Sequence, residues 1–261
     1  MSPEKHEAVE NEFEVISGGV VIRGFYYAPD APGRYPVVAI LHGIPRAKPS
    51  GTDSSYKDMA GRFAEHGFLA ITFNFRGTGI SDGNISMEGW KDDLAAMLDF
   101  CRALPSADPG RVALLGFSAG GSVAIRQAAE DQTVGALVSA SSPARYDFLE
   151  KTMPADKWVA LFKEIGLIRD PDFPVSIEEW EAEFDEAAPI RFIGRVTAPT
   201  LIIHGESDEV IPLEHAHELF EAAGGPKELR IIPDGAHRLR VDERVVKMAL
   251  EWLVEWKNSA F

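Results

Sequence analysis

The sequence predicts an α/β fold with a mostly parallel sheet, and three observations carry that prediction. Apolar runs at residues 37–41, 68–73, 112–115, 134–140 and 200–203 are the length of buried strands. Segments with helical spacing separate most of them, at the cadence of βαβ units. The run at 112–115 leads directly into Gly116-Phe117-Ser118-Ala119-Gly120, and small residues that suit a helix follow. Glycines on either side of Ser118 remove the side chains that would block a sharp strand-to-helix turn, leaving the hydroxyl exposed at its apex.

Composition sets the outer bounds. A chain of 261 residues can bury a full core and suits one α/β domain. Apolar residues at 45% and charged residues at 26% are ordinary for a soluble globular protein. A net charge of −15 disfavours nucleic acid and anionic membrane as partners, since both would be repelled. The opening twelve residues carry acidic groups and no apolar centre, so neither a signal peptide nor a membrane anchor is expected there. No run approaches the roughly 20 apolar residues of a bilayer span. The single cysteine allows no internal disulfide, and a cytoplasmic location is expected.

Taken in order, residues 12–27 read as two short strands broken at Gly18-Gly19, with Val20 and Ile22 on one face. The strand at 37–41 ends at His42-Gly43-Ile44-Pro45. A helix at 56–66 closes at Gly67, and the strand at 68–73 runs into a glycine-rich loop. That loop holds Gly77-Thr78-Gly79, so a dinucleotide fingerprint has to be weighed. Asp82 stands where the third glycine should, and the next helix starts only near Ser86, which argues against it. Trp90, Leu94, Met97, Leu98, Cys101 and Leu104 then keep helical spacing, which makes Cys101 a core residue rather than a nucleophile. Residues 105–110 break that helix.

The strand cadence stops after residue 140. Residues 143–196 read as helices and connections, with Trp158, Leu161, Phe162 and Ile165 in one segment. Ser176-Ile177-Glu178-Glu179 is a capping-box start, with Ile177, Trp180 and Phe184 as the apolar stripe. The acidic residues of 178–186 read as the solvated face of that helix. Pro199 restarts the sheet, a last strand falls at 229–232, and 241–256 is an amphipathic closing helix. The organisation expected is a core from 1–142 and 198–261, interrupted by a helical insertion at 143–197.

A serine hydroxyl needs a base to remove its proton, and the base needs a partner to orient it. Asp208, in His204-Gly205-Glu206-Ser207-Asp208, follows the strand at 200–203, and His237 follows the strand at 229–232. In open α/β sheets, sites gather at the carboxyl ends of the strands, so Ser118, Asp208 and His237 arrive at one edge. Glu206, Glu209 and Asp234 are rival carboxylates. Glu206 is the reserve for Asp208, because one turn cannot easily aim both at the same imidazole. His215 and His217 point two ways on a helix, so no metal is expected.

On these residues, and on Arg76-Gly77-Thr78-Gly79-Ile80-Ser81, the chain resembles the α/β-hydrolase superfamily over nearly its whole length. The likeness is nearest to capped esterases of the cinnamoyl (feruloyl) type and to serine-aminopeptidase-like hydrolases. It implies an eight-stranded sheet with Ser118 as nucleophile, Asp208 as acid and His237 as base. It also implies an oxyanion hole from the backbone N–H groups of Ile44 and Ala119, with His42 bracing that loop, and no cofactor. The implied activity is hydrolysis of a small or medium carboxylic ester, aryl or hydroxycinnamoyl esters included, through an acyl-enzyme. The insertion would cap the site and bring Trp158, Phe162 and Trp180 to the substrate. A peptidase or acyltransferase with the same triad, and a non-catalytic ligand receptor, are the alternatives. The sequence leaves a homodimer open.

Overall fold

The computed structural model describes residues 6–47, 53–147 and 152–259. It opens with a hairpin. β1 (Ala8–Ser17) and β2 (Val20–Pro29) pair antiparallel across Gly18-Gly19, whose positive φ angles suit a two-residue turn. Then come β3 (Tyr35–Leu41), α1 (Ser54–Glu65), β4 (Leu69–Asn74), α2 (Met87–Ala103), β5 (Ala107–Phe117) and α3 (Ala119–Glu130). After β6 (Val134–Ala140) the chain forms α4 (Ala155–Glu164) and α5 (Ile177–Glu186). It returns through β7 (Thr200–Gly205), α6 (Glu214–Ala222), β8 (Lys227–Ile232) and α7 (Glu243–Asn258).

The strands form one eight-stranded sheet in the order β1-β2-β4-β3-β5-β6-β7-β8. β2 joins β4 antiparallel, and every pairing from β4 to β8 is parallel. Alternation along a strand divides its side chains between two cores. Val37, Ala39 and Leu41 of β3 face the layer holding α2 and α3, while Val38 and Ile40 face the layer holding α1 and α7. Burial on both faces explains why the strands read as unbroken apolar runs. From β3 the chain steps to β4 on one side and later to β5 on the other. Loops leaving the carboxyl ends of β3 and β5 therefore diverge and open a crevice, the place where such sheets bind ligands.

Several boundaries differ from the sequence reading, and two of the differences have a visible cause. Residues 107–110 are already strand, because Ala107 and Asp108 pair with Tyr35 and Pro36 ahead of a register shift in the ladder. The closing helix starts at Glu243 rather than 241, because the Asp242 carboxylate caps it by accepting from Arg244 N–H (2.9 Å).

Between β6 and β7 the described residues hold helices and 3-10 turns and no strand. This segment is anchored on the glycine-rich loop. Leu167 O accepts from Ile85 N–H (2.9 Å), Trp180 Nε1–H donates to Ile85 O (3.1 Å), and the Arg169 guanidinium donates to Gly79 O and Ser81 O. Glu183 corrects the expectation of a purely solvated acidic face. Its carboxylate accepts from Ser86 Oγ (2.8 Å) and Glu88 N–H (3.3 Å) at the start of α2, where a negative charge meets free helix N–H groups. Phe148, one of the aromatic residues of the insertion, lies outside the described residues.

Candidate active site

Ser118 sits between β5 and α3 with φ of 53°, the left-handed region that a serine adopts only when its surroundings impose it. Main-chain bonds hold it there. Its N–H donates to Ala140 O (2.9 Å), and its carbonyl accepts from Gly121 N–H (2.9 Å) in the first turn of α3. The close approach explains the flanking glycines. A side chain at Gly120 would meet His42 O at 2.4 Å, and one at Gly116 would meet Gly120 O at 2.5 Å.

The three predicted loops converge. His237 Nε2 lies 3.2 Å from Ser118 Oγ, and His237 Nδ1 lies 2.9 and 3.0 Å from the Asp208 carboxylate oxygens. With Nδ1 facing a carboxylate, the ring proton belongs on Nδ1, which leaves Nε2 free to accept from the hydroxyl. The Asp208 side chain is fully buried, and its Oδ1 also accepts from Val210 and Ile211 N–H (2.9 Å each). Burial pushes this carboxyl up, but the bonds from His237, Ile211 and Val210 outweigh it and hold the group below its ordinary value. Asp208, not Glu206, meets the imidazole. Glu206 is exposed, and its carboxylate accepts only a long bond from Asp234 N–H (3.4 Å).

His42 is a brace. Its Nε2 accepts from Phe75 N–H (3.1 Å), so Nδ1 carries the proton and donates to Gly43 O (2.7 Å). Burial pushes its pKa down to about 4, partly offset by the bond to Gly43. Ile44 and Ala119 lie beside Ser118 on the wall of a cavity of about 450 Å³. Ala119 opens α3, so its N–H is one of the first-turn groups without a partner inside the helix.

Trp158, Phe162 and Trp180 also line this cavity, together with Phe184. Their rings form a chain. Phe162 meets Trp180 edge-on at 5.9 Å, Trp180 meets Phe184 at 5.1 Å, and Tyr146 meets Phe184 at 5.4 Å. The histidines of α6 do diverge. His215 is buried and its Nδ1 accepts from Ala144 N–H (3.0 Å), while His217 is exposed. Cys101 is a buried free thiol, pushed up to about 12 by burial.

In the sequence Glu209 stands only as a rival carboxylate to Asp208. It accepts from His237 N–H (3.1 Å) and so seats the backbone that carries the imidazole. Glu181 and Asp185 of α5 also reach the cavity wall. Their signal was their position on either side of Phe184 and beside Trp180, on the face turned toward the site.

The fold and its carboxyl-edge crevice are those of an α/β hydrolase of the serine-hydrolase type, and the comparisons agree. A model of the X-Pro dipeptidyl-peptidase (S15) family matches residues 18–161, more than half of the chain, which belongs to that family. A model of the serine aminopeptidase (S33) family matches residues 191–244. The uncharacterised protein YfhR of Escherichia coli O157:H7 is 27% identical over 260 residues, covering 99% of this chain and 83% of its own. Acetyl xylan esterase 1 from Thermoanaerobacterium sp. JW/SL YS485 shares the fold with a TM-score of 0.71 at 18% identity, over 98% of this chain and 86% of its own. So does the acylaminoacyl peptidase of Pyrococcus horikoshii, at 0.71 and 18%, over 97% of this chain but 42% of its own. Among the described residues, no helix is long and apolar enough to cross a membrane.

Proposed function

We propose that the chain is a serine esterase that cleaves small or medium carboxylic esters through an acyl-enzyme, with Ser118, His237 and Asp208 as its triad. The observation that carries this reading is the unbroken row of contacts from buried Asp208 through His237 to Ser118 Oγ at the wall of an aromatic cavity. Ser118 Oγ attacks the ester carbonyl carbon while His237 Nε2 takes its proton. Negative charge developing on the carbonyl oxygen is met by the N–H groups of Ile44 and Ala119, the second at the positive end of α3. His237 then gives its proton to the leaving alkoxide. In the second half it deprotonates a water molecule, which attacks the acyl group and releases the acid and the free serine. Asp208 stays ionised throughout and fixes the tautomer. The insertion at 143–197 acts as a cap, and Trp158, Phe162 and Trp180 receive the acyl group. A cavity of about 450 Å³ suits a ring or a short alkyl chain there.

A second reading, a peptidase with the same triad, is favoured by the two peptidase family models. Glu181, Asp185 and Glu209 on the cavity wall have the sign needed to hold a free α-ammonium group. One panel separates the readings: aryl and alkyl esters, matched anilides, and short peptides with free or blocked amino termini. Turnover of esters well above matched amides supports the esterase. Turnover of free-amine peptides with little on simple esters replaces it with the peptidase, and turnover of neither removes both.

A further inference from the structure

His204, the last side chain of β7 before the turn, is completely buried, and the mechanism above does not use it. Its Nε2 lies 2.9 Å from Ile211 O and 3.5 Å from Asp208 Oδ2, while its Nδ1 has no hydrogen-bond partner. Two oxygens face Nε2 and nothing competes at Nδ1, so the ring proton sits on Nε2. Burial pushes the imidazole toward its neutral form.

This arrangement is unfavourable as core packing. A buried nitrogen without a partner carries a desolvation cost that an apolar side chain would avoid. What the other nitrogen does is correspondingly informative. Ile211 is gripped at both ends of its peptide chemistry: its N–H donates to Asp208 Oδ1 and its carbonyl accepts from His204. Residues 204–211 thus close into a ring, with strand β7 as one fixed side and Asp208 pointing across it toward His237. Without the His204 bond, the hydrogen bonds of Ile211 to this loop would run only through the Asp208 carboxylate. The other backbone anchors, Glu206 N–H to Ile232 O, Ser207 N–H to Gly235 O and Asp208 N–H to Gly205 O, hold the residues up to Asp208 and not those after it.

We propose that His204 is a positioning residue, whose Nε2–H clamps the Ile211 carbonyl and so fixes the loop that presents Asp208 to His237. The inference rests on the triad reading, and it concerns the geometry of Asp208 rather than any contact with substrate.

Two amide substitutions test it. In His204→Gln the side-chain NH₂ reaches the place of Nε2, and in His204→Asn it reaches only the place of Nδ1, facing away from Ile211. Each is made in the parent and in Asp208→Asn, and kcat and KM for the best ester are measured per folded protein, with folding checked by thermal unfolding. Misplacement of a catalytic group by about 1 Å can cost about 10²-fold, so His204→Asn should lower kcat by roughly 10- to 100-fold with KM within about threefold. His204→Gln should recover most of that loss. In the Asp208→Asn background the difference between the two should shrink to less than about twofold, as coupled positions require. Equal rates for the two variants, or the same difference with Asp208 already replaced, overturns the inference. Failure of both to fold overturns it too, because it assigns His204 to core stability alone. A parent that turns over no ester and takes no fluorophosphonate label removes the triad reading itself, a distinguishable result.

Discussion

The carboxyl edge of the sheet and the insertion between β6 and β7 both line the same cavity, yet they are held in different ways. At the edge, hydrogen bonds that involve the main chain hold each member of the proposed triad: the Ser118 backbone to Ala140 and Gly121, the Asp208 carboxylate to the N–H groups of Val210 and Ile211, and the His237 N–H to the Glu209 carboxylate. The segment between β6 and β7 is held mostly by rings and long side chains, beside the backbone bond from Ile85 N–H to Leu167 O. Trp158, Phe162, Trp180 and Phe184 pack in series, Trp180 and Arg169 reach across to the glycine-rich loop and its end at Ile85, and Glu183 reaches the start of α2. Short backbone bonds hold a geometry to fractions of an ångström, as proton transfer demands, whereas ring packing tolerates shifts and suits a pocket that sorts substrates by shape. Changes at the edge should therefore lower the rate, and changes in the insertion should alter preference and stability.

The largest test of that division is Ser118→Ala, which should lower kcat by about 10⁴- to 10⁶-fold with unfolding unchanged. Steady-state ester hydrolysis at high enzyme concentration measures it, and a loss below a hundredfold would dissolve the distinction. Asp208→Asn should follow at about 10⁴-fold, through the wrong imidazole tautomer, while Glu206→Gln stays near the parental rate. Reversed effects in the same assay would give the role to Glu206.

In the insertion, Phe162→Ala should change the ranking of acyl groups several-fold while a minimal acetate ester suffers less. Trp180→Ala should in addition lower stability by about 3–5 kcal/mol, since it empties a large buried volume and removes the bond to Ile85. An ester panel and chemical denaturation read the two effects. A parental ranking in both folded variants would make the insertion purely structural.

Acid stability sharpens the comparison at the edge. His42 is neutral in the fold with its pKa lowered to about 4, and burial also lowers His204 and His215. The unfolded chain binds protons first, at ordinary histidine values near 6.5, so stability is full above that pH and is lost as the pH falls toward 4. His42 alone should account for a loss of about 2 kcal/mol by pH 5. Urea midpoints at pH 7.5 and 5 measure it, and His42→Gln should flatten the dependence.

Much of this was legible in the sequence because sheet interiors and sharp turns leave local marks. Doubly buried strands write continuous apolar runs, and Gly116 and Gly120 mark where backbones approach too closely for a side chain. Asp208 was legible because it follows such a run directly, and His237 because it follows the short edge strand β8 in the same way. What stayed hidden depended on partners far along the chain. Nothing near Ala107 shows that Tyr35 will pair with it, and nothing near Glu183 shows that the start of α2 will lie within its reach. The role of His204 was equally invisible, since only the folded turn brings Ile211 O to its ring.

The central claim is that Ser118, activated by His237, is the group that takes the acyl chain. Incubation of the purified protein with a fluorophosphonate, followed by intact mass and peptide mapping, tests it most directly. The account predicts one adduct per chain, on Ser118, absent from Ser118→Ala and formed far more slowly in Asp208→Asn. No adduct, or an adduct on any other residue that persists in Ser118→Ala, would contradict it.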